Sequence, residues 1–430
     1  MTAIEIGIIG IIALIILLIL RVPVGISLIL AGSAGVIMLA APVPALELVV
    51  TQTLVVARTQ ALVAIPLFVL MGILLSKTNM AAALFELMSY FFGRSKGGLS
   101  TAVLASSTFF SAMSESVPIT FKSINSAADA KLREYNYDSG LSTGIGTIGA
   151  ALCVLIPPST VLIIFANLAG LSIGHALLAG IAPGALTALL LLIASPIIFR
   201  FRPRLAPDII KTKRPFPTNA LKVIWVVPFI FLFVFLFLYF GWLTLTEAAA
   251  SGAFLTLLFA IATRQMSFSI FFEALVESAT ITGKLFLLII GGTVFSLFLT
   301  RSLVIYHFVS FFTALDIAPI IIVKLFMLAY IALGLIMDKL ATLVILTPFF
   351  LPVVLALGLN GLWFGVMVAF ALMLAYCLRP LISSDSADGL SVSKRLCAQA
   401  PFLIVLIISC ALVALVPHLA TLLPSMMIGW

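Results

Sequence analysis

The sequence predicts an all-α polytopic membrane protein, on three observations. Of its 430 residues, 63% are hydrophobic and 9% charged, and the mean hydropathy is +1.33. A soluble domain carries about 45–50% apolar and roughly 25% charged residues. Second, apolar runs recur at spanning length, and at ~20 residues per span the chain fits about 10–13 membrane segments. Third, polar, proline-bearing clusters interrupt a few of those runs, in the manner of re-entrant hairpins and broken helices. A cytosolic globular protein and a disordered chain are both excluded.

Taken in order, the apolar runs begin at Ile4–Leu20, Val24–Ala41 and Ala61–Leu75. Met1–Leu20 lacks a basic leader and precedes Arg21, so it reads as a first span and not a cleaved signal. A short helical stretch, Met80–Phe92, ends at Gly93-Arg94-Ser95-Lys96-Gly97-Gly98. Two interrupted stretches follow, Leu99–Ile124 and Leu141–Ala169, then a plain span at Ala176–Phe199. Next comes a basic segment with Arg200, Arg202, Arg204, Lys211, Lys213 and Arg214. Pro203, Pro207 and Pro215 keep it from continuing as a helix. Its charge predicts a cytoplasmic connection, which also accounts for the net +8 without invoking nucleic acid. Further runs lie near Val223–Phe240, Leu245–Thr263, Phe271–Thr300, Pro319–Met337, Leu340–Leu357, Leu362–Ile382 and Pro401–Val416.

The chain thus divides into residues 1–199, a connection at 200–222, and residues 223–430. In the first half a polar break at Met113-Ser114 is followed about 44 residues later by Pro157-Pro158-Ser159. In the second, Met337-Asp338 is followed about 42 residues later by Arg379-Pro380. That spacing predicts two inverted-repeat halves. Hairpin 1 is expected at about 100–124 with a broken helix at about 141–169, and hairpin 2 at about 338–357 with a broken helix at about 362–390.

Three interruptions carry the candidate chemistry. Ser111–Lys122 holds Glu115, Lys122, hydroxyl residues and Pro118. It reads either as a re-entrant hairpin whose hydroxyls and freed carbonyls bind a cation, or as a short extramembrane loop with both charges solvated. At Ile156-Pro157-Pro158-Ser159-Thr160 two prolines remove two donors and free the preceding carbonyls; an ordinary proline kink is the alternative. Asp338, with Thr342 one turn on, offers oxygen ligands suited to Na⁺ or a proton, or else pairs with Lys339 at a surface. Arg379 suits a substrate carboxylate, or snorkels, or pairs with Asp385.

The remaining signals point away from enzymes and soft metals. Cys153, Cys377, Cys397 and Cys410 form no CxxC and read as buried small hydrophobes. No P-loop, nucleophile elbow or HExxH occurs, so neither ATP drive nor hydrolytic chemistry is expected of this chain. His175, His307 and His418, and the four tryptophans, read as interfacial.

Several strings, in order along nearly the whole chain, resemble the large membrane subunit of TRAP (tripartite ATP-independent periplasmic) transporters, the DctM-like family. They include Arg21–Gly25, Ile65–Gly72, Gly93–Leu99, Leu155–Ser159, Ala179–Gly184, Leu243–Ala250, Met337-Asp338, Ile345–Pro348 and Trp363–Val366. The resemblance implies an elevator-type importer in the bacterial inner membrane. It would couple organic-acid uptake, C4-dicarboxylates among the candidates, to a Na⁺ gradient by symport, with no other cofactor. It also implies two partners, a periplasmic substrate-binding protein and a small four-helix membrane subunit. The family's Ser-Gly-Ser motif falls on Ser114-Glu115-Ser116, its Pro-Pro on Pro157-Pro158, its second-half Asp on Asp338, and its Thr-Pro-Pro-Val-Gly on Leu378–Ile382.

On residues and resemblance together, the Na⁺ candidates are Ser114, Ser116, Pro157, Asp338 and Thr342. The substrate candidates are Glu115, Lys122, Pro158, Ser159, Arg379, Pro380 and Ser383. The chain departs from the family by a carboxylate at Glu115, an arginine at Arg379, Lys122 in the first hairpin and Cys153 where glycine is usual. The expectation is a network of Glu115, Lys122 and Arg379 that alters ion coupling or substrate class. The alternatives are a stand-alone ion-coupled carboxylate permease and a divergent paralogue with altered or lost coupling.

Overall fold

The computed structural model describes residues 1–40, 42–135, 137, 139–202, 225–382 and 392–427, and it is helical, with no strand among them. The first half contains α1 (Ala3–Ile19), α2 (Val24–Leu39), α3 (Pro42–Arg58), α4 (Ala64–Ser76), α5 (Met80–Phe92), α6 (Gly98–Ser111), α7 (Val117–Glu134), α8 (Ser139–Ala151), α9 (Thr160–Ala169) and α10 (Ile173–Phe201). The second contains α11 (Val226–Tyr239), α12 (Leu245–Ala262), α13 (Phe268–Arg301), α14 (Val304–Thr313), α15 (Pro319–Ile336), α16 (Lys339–Ala356), α17 (Gly361–Ile382), α18 (Val392–Leu415) and α19 (His418–Ser425). Most of the expected basic connection lies outside the described residues.

Local chemistry sets the helix starts. Thr2 with Glu5 and Thr244 with Glu247 form capping boxes, in which side chain and backbone satisfy each other's free donors. Ser172 and Ser267 cap α10 and α13. Six helices are long and apolar enough to cross a membrane, and eight if α3–α4 and α18–α19, bent by 56° and 61°, each count as one span. That is fewer than the expected 10–13 because many apolar helices, α1 and α2 among them, stop at 10–17 residues.

The long α13, about 51 Å by helical rise, serves as a ruler for direction. Its first turns face Lys77 at the end of α4, whose Nζ lies 3.6 Å from both Glu273 and Glu277. From its far end the chain passes through α14 into α15. Lys122 and Ser126 on α7 share a cavity with Lys77 and Glu277. The α6–α7 hairpin therefore opens toward the Lys77 end of α13, and the α15–α16 hairpin toward the Arg301 end.

Inside, α17 is the most buried span and packs against α15, α16, α9 and α10. The two arms of the second hairpin are joined by Phe326 and Phe350, whose parallel rings stack with centroids 4.1 Å apart. On the outside, α1 exposes Ile8, Ile12, Ile15 and Ile19, and α11 exposes Phe229, Leu232 and Leu236. Such faces suit lipid or another membrane helix.

Candidate functional site

The tip of the first hairpin is built by its own hydroxyls. α6 ends where the Met113 and Ser114 amides both donate to the Phe110 carbonyl, at 3.1 and 2.9 Å. α7 begins at Ser116, whose Oγ accepts from the Ile119 amide at 3.5 Å. Pro118 sits in its first turn, where a missing donor costs little. The Ser114 hydroxyl donates to the Ser116 carbonyl at 3.4 Å. Between them Glu115 is only 6% exposed, and its buried Oε2 accepts no hydrogen bond.

The tip of the second hairpin is the Met337-Asp338 break. Asp338 caps α16: its Oδ2 accepts from the Leu340 amide at 3.0 Å, while its carbonyl accepts from Thr342 Oγ1 at 3.0 Å. The Asp338 side chain is exposed and Thr342 is buried. Half of its carboxylate is thus committed to the helix start.

The two tips meet. A cavity of about 110 Å³ is lined by Ser114, Glu115 and Ser116 from the first hairpin and by Lys339 and Leu340 from the second. The Lys339 ammonium is within electrostatic reach of the Glu115 carboxylate. No ion pair within 4.0 Å joins them; among the described residues such pairs link Lys77 to Glu273 and Glu277, and Arg133 to Asp129. The rest of the wall is largely apolar, with Val69, Ile281 and Leu285. Gly72 completes it: a Cβ there would lie 3.3 Å from Ser114 Cα.

Beside this cavity lies the first helix break, which contributes Thr160 to the wall. The Pro157-Pro158 bond is cis, and the whole segment from Ala151 to Thr160 is buried. Pro158 has no donor to offer, and the Val154 carbonyl instead accepts from the Ser159 hydroxyl at 2.5 Å. The same Oγ accepts from the Leu162 amide at 3.4 Å and so caps α9. Helix α10 presses close behind: a Cβ on Gly180 would lie 2.5 Å from the Leu155 carbonyl oxygen. Across the break, Tyr376 of α17 lies within electrostatic reach of Cys153, Asp338 and Arg379.

The expected network of Glu115, Lys122 and Arg379 is not what the structure assembles. Lys122 stands exposed about 8 Å down α7 from Val117, on a larger cavity of about 480 Å³ with Lys77. Arg379 is exposed near the end of α17. Glu115 faces Lys339 instead, because the tip of one hairpin abuts the start of the other's second arm. Of the other candidates, Ser114, Ser116 and Glu115 share the cavity; Asp338 and Thr342 flank it through the start of α16; Pro157, Pro158 and Ser159 form the buried break beside it. The break expected near Arg379-Pro380 does not interrupt α17, which continues to Ile382. Its remaining residues, with Ser383 and the side chain of Pro380, lie outside the described residues. Cys153, Cys377 and Cys410 are buried and free, and no group of three metal-ligating side chains occurs among the described residues.

Lys339 and Gly72 are site residues that the sequence did not place among the candidates, and Thr160 was named only as the end of the Pro157-Pro158 break. Lys339 carried a signal, a second charge beside Asp338 in an apolar stretch, but read as that residue's partner.

A family model described as "Tripartite ATP-independent periplasmic transporter, DctM component" matches residues 11–419. Among curated proteins, the chain is 26% identical to the C4-dicarboxylate TRAP transporter large permease protein DctM of Pseudomonas aeruginosa, covering 85% of this chain and 86% of that one. It is 27% identical to the sialic acid TRAP transporter large permease protein SiaM of Vibrio cholerae, covering 86% and 87%. It is 25% identical to the ectoine TRAP transporter large permease protein TeaC of Halomonas elongata, covering 94% and 95%. Among solved structures, the Alcanivorax borkumensis YdaH transporter superposes with a TM-score of 0.63 at 13% identity, covering 87% of this chain and 88% of that one.

Proposed function

The chain belongs to the DctM component family of tripartite ATP-independent periplasmic transporters, and from that membership we propose that it is the large permease subunit of a Na⁺-coupled importer of an organic acid. A periplasmic binding protein delivers the substrate, and a small membrane subunit accompanies this one in the inner membrane. The hairpin-bearing part carries the site across the membrane as an elevator.

The observation that supports this reading is the meeting of two oppositely opening hairpin tips at one cavity next to a broken helix. Irregular backbone at membrane depth is tolerated only where it is enclosed by protein or lines a wet cavity, and there its carbonyls and hydroxyls become ligands. Asp338, Thr342, Ser114 and Ser116 supply oxygen atoms of the kind a hard cation selects.

The test is thermal unfolding of the purified chain in NaCl against choline chloride at equal ionic strength. A ligand that binds only the folded state stabilises it by ~2.7 kcal/mol at a hundredfold excess over its Kd. The expected result is a Na⁺-specific rise in Tm that disappears in Asp338→Asn, a variant that keeps the helix cap. A folded protein with no Na⁺-specific rise, or with the same rise in Asp338→Asn, overturns the assignment.

A further inference from the structure

We propose that the cavity between the hairpin tips takes a zwitterionic substrate, a small carboxylate that also carries a cationic nitrogen, with Lys339 holding the carboxylate and Glu115 the nitrogen. The proposal rests on the importer reading above and names its substrate class.

Two observations carry it independently of each other. The first is an unspent acceptor: Glu115 is more than nine-tenths buried, lines the cavity, and its Oε2 accepts no hydrogen bond. A buried polar atom left in that state is costly unless something pairs with it. The second is a charge of the opposite sign on the same wall. Lys339 lines the cavity and feels the Glu115 carboxylate, yet the two form no ion pair. The tips therefore hold one acid and one base apart, with space between them.

The sign pattern selects among ligands. A dianion drawn by Lys339 brings its second carboxylate against Glu115. A simple amine drawn by Glu115 meets Lys339. That repulsion is strong where the wall is apolar and the effective dielectric low. A monocarboxylate satisfies Lys339 but leaves Glu115 Oε2 unpaired. Only a solute with both signs, spaced across the cavity, completes both groups. A site whose buried polar groups are left unpaired by the wrong ligand discriminates strongly against it. At about 110 Å³ the cavity limits the solute to a small one.

The experiment uses the full chain in lipid nanodiscs, in NaCl, with ligand-induced Tm shifts as readout. The probes are glycine, β-alanine, 4-aminobutyrate and 6-aminohexanoate, which step the distance between charges. Each is matched by acetate, propionate, butyrate or hexanoate, and succinate serves as the dianion. The expected result is that at least one zwitterion half-saturates at a concentration tenfold or more below its matched acid and below succinate. Glu115→Gln should bring the zwitterion and its matched acid to within about twofold of each other, and Lys339→Gln should weaken both. The proposal is overturned if the acids or succinate do as well as every zwitterion, if no zwitterion shifts the Tm, or if Glu115→Gln keeps the preference. The Na⁺-against-choline shift of each variant shows that it is folded and keeps the two readings separable. A retained Na⁺ response without zwitterion preference removes only the substrate class, whereas loss of both in the unmodified chain removes the importer assignment as well.

Discussion

The Tyr330 hydroxyl lies 3.0 Å from the Thr347 hydroxyl, both buried, and joins the two arms of the second hairpin from the inside. Thr347 also donates to the Leu343 carbonyl at 2.6 Å, so Tyr330 serves as the donor and Thr347 as the acceptor between them. With the Phe326–Phe350 stack one turn away, this bond fixes the register that brings Lys339 to the tip.

Unequal costs follow for its two partners. Tyr330→Phe removes the donor and leaves Thr347 still bonded to its own helix, so the expected loss is ~0.6 kcal/mol, the typical worth of a side-chain bond between membrane helices. Thr347→Val strands the Tyr330 hydroxyl in an apolar interior and should cost more, roughly 1–3 kcal/mol. Denaturant unfolding of both single variants and the double variant checks this. The double should be less destabilised than Thr347→Val alone and lie close to Tyr330→Phe, because once the acceptor is gone the hydroxyl is a liability and its removal relieves the cost.

Gly72 sets how closely α4 approaches the first hairpin tip. Replacing glycine by alanine inside a helix gains about 0.5–1 kcal/mol of propensity. At 3.3 Å from Ser114 Cα the new methyl group must push the tip by a few tenths of an ångström. The two effects oppose each other, so Gly72→Ala should leave the Tm nearly unchanged while weakening ligand-induced shifts. Gly72→Leu fills the cavity and overpacks the contact, with an expected loss of roughly 1–3 kcal/mol. A parallel series of Tm measurements with and without NaCl distinguishes the two regimes.

The fold class was legible because membrane solvent imposes a one-dimensional rule: apolar runs of fixed length, and polar breaks only where something satisfies them. Ser114-Glu115-Ser116, Pro157-Pro158 and Met337-Asp338 stood out on that ground, and the structure gathers all three. What the sequence hid was which charges face each other. Glu115 and Lys339 are more than two hundred residues apart, and their encounter depends on hairpins that open toward opposite ends. Lys122 and Arg379 read as candidate bases, whereas Lys339 read only as a partner for Asp338. Helical phase turns the first onto a wider, more polar cavity, and position near the end of α17 leaves the second exposed. Gly72 was invisible as a site residue because its role is an absence of side chain.

The ion pairs of Lys77 with Glu273 and Glu277 connect the end of α4 to the start of α13. All three side chains are substantially exposed, so solvent screens the attraction and the expected cost of Lys77→Met is under about 1 kcal/mol. The effect should shrink further when the unfolding is repeated in 1 M salt, where the screening length is ~3 Å. A loss well above that value, insensitive to salt, would mean that the residue holds α4 by packing and not by charge.

Asp338 serves two demands at once, and variants can separate them. Its Oδ2 caps α16, while the exposed remainder of the carboxylate keeps a negative charge at the hairpin tip. Asp338→Asn retains an oxygen that can accept from the Leu340 amide, so unfolding without Na⁺ should change little. Asp338→Ala removes the cap and should cost about 0.5–2 kcal/mol under the same conditions. The Na⁺-specific increment behaves differently, since it depends on the charge: both variants should lose it. If Asn and Ala were equally destabilised in choline chloride, the cap would not be the stabilising element. If Asn kept the increment, the Na⁺ assignment at this carboxylate would be overturned.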